Sequence, residues 1–158
     1  MSRIVVGVDG SDESAAALRW AVEEARLRKS TLDVVHVYES VPAWQLYGYA
    51  DPMTGAVADP LVRDLERVEG EAEKAAKALV SHMVAEHQDA GVAIEEMAVS
   101  SGRPAEVLVQ QSRSADMLVV GSRGRGGITE LLLGSVSHQA ANLAVCPVVI
   151  LGRHHKAD

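Results

Sequence analysis

Residues Asp116–Ser135 read DMLVVGSRGRGGITELLLGS, and this stretch decides the fold. Its opening run, Met117-Leu118-Val119-Val120, is too short for a helix and rich in branched side chains, which predicts a strand buried on both faces. Gly121 ends the run. Gly124, Gly126 and Gly127 follow in a glycine-rich loop, Leu131-Leu132-Leu133 make a short apolar turn, and a helical pattern starts at Gly134-Ser135. Strand, glycine loop and helix N-terminus in that order make an anion site. Glycine lets backbone N–H groups approach a ligand with no Cβ in the way. A helix N-terminus adds unpaired N–H donors and about half a positive charge. Phosphate is the expected guest.

Two familiar phosphate patterns do not fit. A P-loop needs G-x4-G-K-(S/T), and no lysine lies anywhere in the stretch. The dinucleotide fingerprint G-x-G-x-x-G should follow the first strand, where the chain instead reads Gly7-Val8-Asp9-Gly10-Ser11. Gly124-Arg125-Gly126 begins that fingerprint, but Thr129 stands where its third glycine belongs.

Outward from this stretch, apolar runs alternate with helical patterns. Ile4–Val8 reads as a first buried strand, with Asp9 at its C-terminal end. Ser11 is an N-cap with Asp12 and Glu13 in the first turn of a helix, whose buried face is expected at Ala15, Leu18, Val22 and Ala25. Leu32–Tyr38 is a second strand, in which His36 is expected as a core histidine with a backbone partner. Asp59-Pro60 reads as N-cap and first helical position of a long helix with Leu61, Leu65, Val68, Ala72, Ala75, Leu79 and Met83 on one face, and Gly91 as its stop. Val92–Val99 is a third strand, and Pro104 starts a helix through Val107, Leu108 and Gln111. The helix from Ser135 places Val136, Ala140 and Leu143 together, and Pro147–Leu151 is a fifth strand.

Such alternation predicts an α/β domain: a five-stranded parallel sheet with helices on both faces, joined by right-handed crossovers. Ligands in these sheets bind beyond the strand C-termini where strand order reverses. The order 3-2-1-4-5 brings Asp9 and Gly121 to that crevice. A single domain is expected over residues 1–152, with a polar tail at 153–158. Residues 39–59 form an irregular insertion, with Pro42, Gly48, Pro52 and Gly55 excluding a regular element. It holds Trp44, Tyr47 and Tyr49, three of the chain's five aromatic residues, and could be a lid, a partner interface or a loop tucked on its own aromatics.

Composition narrows the function. The 158 residues carry a net charge of -7, which argues against a nucleic-acid partner. No apolar run reaches the roughly 18 residues of a membrane span, and MSRIVVGVDGS lacks a signal-peptide organisation, so a cytoplasmic place is expected. Cys146 is the only cysteine and reads as a buried, inert thiol. His154-His155 lies in the polar tail and reads as exposed chain rather than a metal site.

Gly121, Gly124 and Gly134-Ser135 spell G-x2-G-x9-G-(S/T), which resembles the ATP-binding signature of the universal stress protein family. VVGVDGS, HVYE, GRPAEVL and the run through CPVVIL extend the resemblance over nearly the whole chain. It implies a Rossmann-like fold of the adenine nucleotide alpha hydrolase type, usually dimeric. It also implies that Asp9 lies near the adenine and ribose, that Val37 contacts the base through its backbone, and that Gly121, Gly124, Gly134, Ser135 and Val136 line the ribose and phosphates. Arg123 and Arg125 are candidate phosphate contacts, or solvated loop arginines. No catalytic or metal-ligating set stands out. The expectation is an ATP-binding sensor or regulator in a stress response, taking ATP with Mg²⁺. The alternatives are a slow ATPase, a cyclic-AMP binder and a nucleotide-free module for an unknown protein partner. Val148–Leu151, four apolar residues at a sheet edge, predict a homodimer through that strand unless a helix or the tail covers it.

Overall fold

A computed structural model describes residues 2–40, 50–51, 53–56, 58–124 and 133–152. Five strands, β1 (Arg3–Gly7), β2 (Thr31–Tyr38), β3 (Ile94–Ser100), β4 (Met117–Gly121) and β5 (Val148–Leu151), form one parallel sheet in the order β3-β2-β1-β4-β5. Helices α1 (Asp12–Arg28), α2 (Asp59–Ala85), α3 (Pro104–Ser112) and α4 (Ser135–Leu143) complete the alternation.

Period-two alternation sorts the strand side chains between two apolar layers. Ile4, Val6, Leu32, Val34 and Val119 pack under α1 and α2, which contribute Leu18, Val22, Val80 and Val84. Val5, Val35, Leu118 and Val120 face α3 and α4, which contribute Leu108 and Ala140. Both faces are therefore covered, as a parallel sheet requires. On α1 the innermost positions are Ala17, Leu18, Ala21, Val22 and Ala25, while Ala15 is only half-buried. Alanines there let the helix lie close to the sheet.

A buried carboxylate marks the N-terminal end of the sheet, apart from the buried Glu13 at the other end, in the first turn of α1. Asp33 on β2 is buried and forms an ion pair with Arg3 on β1, whose Nε–H donates to Oδ2 at 2.7 Å. The same guanidinium donates to Gln111 Oε1 at 2.9 Å and to Ser114 Oγ. The Arg3 backbone N–H donates to Asp116 Oδ2 at 2.7 Å, which holds that carboxyl below the usual aspartate range.

Several local expectations are corrected. The N-cap of α2 is Ala58, with no side-chain cap, so Asp59 is the first helical residue and the proline follows it inside the first turn. That helix ends at Ala85. A 3₁₀ turn, Gln88–Ala90, intervenes before Gly91, which takes the left-handed conformation at φ 70°. Only Ala76, Val80 and Val84 of α2 are buried. Leu61, Leu65, Ala72, Leu79 and Met83 are half-buried, and Val68 and Ala75 exposed. Leu143 is exposed rather than part of the α4 seam, which buries Ser137 and Ala140. Cys146 is half-buried, and its burial pushes the thiol above its ordinary pKa, so the thiolate is disfavoured. Within the 39–59 insertion, Asp51 organises a tight turn: its Oδ1 accepts from the Met53 and Thr54 N–H groups, both at 2.9 Å, and Gly55 sits at φ 69°. Pro42, Trp44, Tyr47, Gly48, Tyr49 and Pro52 lie outside the described residues, as does the 153–158 tail with its histidine pair.

Candidate functional site

Strand order reverses between β1 and β4, and the chain leaves both strands at the same end of the sheet. After β1, Val8 and Asp9 lead to Gly10 at φ 82°, a left-handed turn that glycine takes without strain. Ser11 then caps α1, its Oγ accepting from the Ser14 N–H at 3.2 Å. Asp9 is fastened to this cap. Its Oδ1 accepts from the Ser11 N–H at 3.0 Å and the Ser11 hydroxyl at 2.6 Å, and its own N–H donates to Ser14 Oγ at 3.3 Å.

The exit from β4 is held as firmly. A Cβ on Gly121 would lie 2.9 Å from the backbone carbon of Glu13, so glycine is what lets the strand end touch the first turn of α1. The Ser122 N–H donates to Leu151 O at 2.7 Å. Ser122 O in turn accepts from the Gly134 N–H at 2.7 Å and from the Ser137 hydroxyl at 2.8 Å. These bonds tie the two ends of the glycine loop together under α4. Gly134 is the N-cap of α4, at φ -74°, with no side-chain cap and no acidic residue in the first turn.

Gly121, Gly124 and Gly134 all lack a positive φ. What they supply is missing volume: a Cβ on Gly124 would sit 2.5 Å from Asp9 Oδ2, and one on Gly134 would lie 3.3 Å from the Arg123 Cα.

A cavity of about 450 Å³ opens here, lined by Asp9, Val37, Gly121, Arg123, Gly124, Gly134, Ser135 and Val136. Eight of the nine residues singled out in the sequence thus meet in one place. Arg125, the ninth, lies outside the described residues. Sequence reading missed Ser14, the apolar wall of Val35, Leu108 and Val120, and the locking role of Ser137. The signal for Leu108 was present in GRPAEVL, but its place depends on how α3 crosses the sheet. His36, expected to bond backbone, does so: its Nδ1 lies 2.8 Å from Val8 O.

The site joins three chemistries: an apolar slot, a carboxylate fixed at the end of β1, and the uncapped N-terminus of α4 with Arg123 beside it. Among the described residues, no group of three or more His, Cys, Asp or Glu side chains is placed to hold a metal ion. None of the described helices is long and apolar enough to cross a membrane.

Comparison with known proteins agrees with the fold. The chain matches the family described as "Universal stress protein family" over residues 1–152. It is 30% identical over 152 residues to universal stress protein YxiE of Bacillus subtilis, covering 95% of this chain and 98% of that protein. It is 34% identical over 147 residues to universal stress protein Rv2623 of Mycobacterium tuberculosis, covering 93% of this chain but only 44% of that longer protein. Among solved structures, a universal stress protein in complex with cAMP matches with a TM-score of 0.63 and 27% identity, over 96% of both chains. The universal stress protein from Archaeoglobus fulgidus in complex with dAMP matches with a TM-score of 0.61 and 25% identity, over 96% of this chain and 98% of the other.

Proposed function

This chain belongs to the universal stress protein family, and on that premise we propose that it is an ATP-binding member, acting as a nucleotide-dependent sensor or regulator in a stress response. One observation carries the reading: residues from four separate segments, around positions 9, 37, 121–124 and 134–136, line one cavity at the uncapped N-terminus of α4. Its volume falls in the roughly 300–1,000 Å³ range of small-molecule sites. The complexes of similar proteins with cAMP and dAMP support an adenine nucleotide.

In this reading the phosphates lie at the α4 N-terminus, where the N–H groups of Ser135 and Val136 and the Ser135 hydroxyl donate to oxygens. Arg123 adds positive charge. Asp9, held through Oδ1 by Ser11, accepts a ribose hydroxyl. Val35, Val37, Leu108 and Val120 take the base. Mg²⁺ arrives on the ATP phosphates. Phosphoryl transfer needs a positioned base as well as a binding site; with Asp9 tied to the α1 cap, bound ATP is expected to survive long incubation with Mg²⁺. Sustained phosphate release that disappears in Asp9→Ala would make the protein an ATPase instead.

The direct experiment is to denature the purified protein and identify any released nucleotide by mass, then titrate ATP, AMP and cAMP by calorimetry. ATP binding supports the reading. Tighter binding of a monophosphate would favour the second reading, a cyclic-AMP or AMP binder, to which the two solved complexes point. Absence of both released nucleotide and titration heat would leave a nucleotide-free interaction module.

A homodimer through β5 belongs to the same proposal. Pro147 O and Leu151 O accept from the Leu118 and Ser122 N–H groups of the β4 side. Alternation along the strand therefore turns the N–H and C=O of Val148 and Ile150 to the open edge. Two-fold pairing with a second copy satisfies them, and exposed Leu143 and Val145 lie just before the strand.

A further inference from the structure

β1 and β2 part company one rung early, and a histidine side chain stands at the parting. The Val8 N–H donates to Val35 O at 2.9 Å, so Val35 turns its backbone groups toward β1. Tyr38 O accepts from the Ser101 N–H at 2.9 Å, so Tyr38 turns toward β3. Alternate residues of a parallel strand address the same neighbour, which puts the N–H and C=O of Val37 on the β1 side. The next rung would join the Val37 N–H to Val8 O, and the Gly10 N–H to Val37 O. Neither bond forms among the described residues. Val8 O accepts from His36 Nδ1 at 2.8 Å instead, and Gly10 turns the chain away into α1. A carbonyl brings no proton, so Nδ1 carries it and donates. Val37 lines the cavity.

We propose that His36 is a positioning residue that sets base specificity. By occupying the Val8 carbonyl it keeps β2 from zipping onto β1, and leaves the Val37 N–H and C=O side by side at the cavity wall. A donor beside an acceptor matches the edge of a 6-aminopurine, which offers a ring nitrogen beside an amino group. A 6-oxopurine offers the inverse pattern, with a ring N–H beside a carbonyl. With ribose and phosphate held, it cannot satisfy both Val37 groups. The specificity role rests on the adenine-nucleotide reading above; the freed Val37 amide does not.

The test uses the full chain and three variants. His36→Asn keeps a donor near the Nδ1 position. His36→Leu removes it. His36→Gln carries its amide one bond further out, and serves in place of leucine should that variant melt early. Amide hydrogen exchange without ligand reads the rung itself: the Val37 N–H is expected to exchange quickly in wild type and His36→Asn, and to become protected in His36→Leu as it pairs with Val8 O. Affinities for ATP, ITP and inorganic tripolyphosphate read the specificity. Wild type and His36→Asn should prefer ATP to ITP. His36→Leu should lose about tenfold in ATP affinity, the worth of one buried hydrogen bond, with ITP and tripolyphosphate unchanged. An ATP-binding wild type whose leucine variant keeps both the ATP-to-ITP ratio and rapid Val37 exchange overturns the His36 assignment alone. A wild type that binds none of these nucleotides overturns the nucleotide reading, and the specificity role with it.

Discussion

All four helices begin at the C-terminal end of the parallel strands, and two of them, α1 and α4, meet at the cavity with their N-termini treated in opposite ways. Helix α1 is closed by its own sequence: the Ser11 hydroxyl accepts from the Ser14 N–H, and Asp12 and Glu13 supply first-turn acids. Helix α4 has Gly134 at its cap, no side-chain acceptor and no first-turn acid, and its first residues line the cavity. The positive end of one helix is neutralised from within. That of the other is left to whatever enters. Helices α2 and α3 also lack a side-chain cap; what sets α4 apart is a glycine cap with no first-turn acid at the cavity, which the proposed phosphate site needs.

The comparison can be broken most severely at Gly124. Replacing it with valine fills the space beside Asp9 Oδ2, where even a Cβ would come within 2.5 Å. ATP affinity should fall by on the order of a hundredfold, the equivalent of two lost charge-assisted hydrogen bonds. The clash is with the tip of a side chain, so the thermal melt should stay near wild type; calorimetry and a melting curve together check this.

Making α4 resemble α1 is the next test. Gly134→Asp installs a carboxylate cap at the anion site, and ATP affinity should drop by about thirtyfold through competition and repulsion. Stability should change by less than about 1 kcal/mol, since a carboxylate cap gains little over glycine, and the Cβ fits at 3.3 Å from the Arg123 Cα with a small adjustment.

Opening α1 instead should cost stability more than binding. Ser11→Ala removes the cap, for about 1 kcal/mol in a denaturant titration. It also frees Asp9 Oδ1 from the Ser11 hydroxyl, so ATP affinity should fall roughly threefold.

Ile150→Pro should have the smallest effect on binding. It removes an N–H on the open edge of β5 and leaves the bonds to β4 in place. Sedimentation should show the mass of the proposed β5 dimer for the wild type and half of it for the variant, with ATP affinity unchanged, because the cavity is lined by residues of one chain.

The features legible in the sequence were the local ones. The strand–glycine–helix spacing around Gly121 and Ser135 marked β4 and α4, and Ser11 announced its cap, because each depends on residues close in the chain. Long-range features were not legible. Asp33 lies inside an apolar run, and only the approach of Arg3 and the end of α3 explains its burial. Leu108 lines the cavity because α3 crosses the sheet there, and Ser137 locks the loop because Ser122 is brought beneath it. Asp59-Pro60 misled by one residue, since an Asp-Pro pair suits a first helical turn as well as a cap. Gly91 does stop a helical segment, but a 3₁₀ turn separates it from α2.

The difference between the two N-termini is tested most directly by following backbone amide shifts while ATP is added. The amides of Ser135 and Val136 should shift strongly and become protected from exchange, while that of Ser14, which borders the same cavity but is already bonded to Ser11 Oγ, should shift less and gain no protection. Equal small shifts at both helices, or a response at Ser14 alone, would contradict the account.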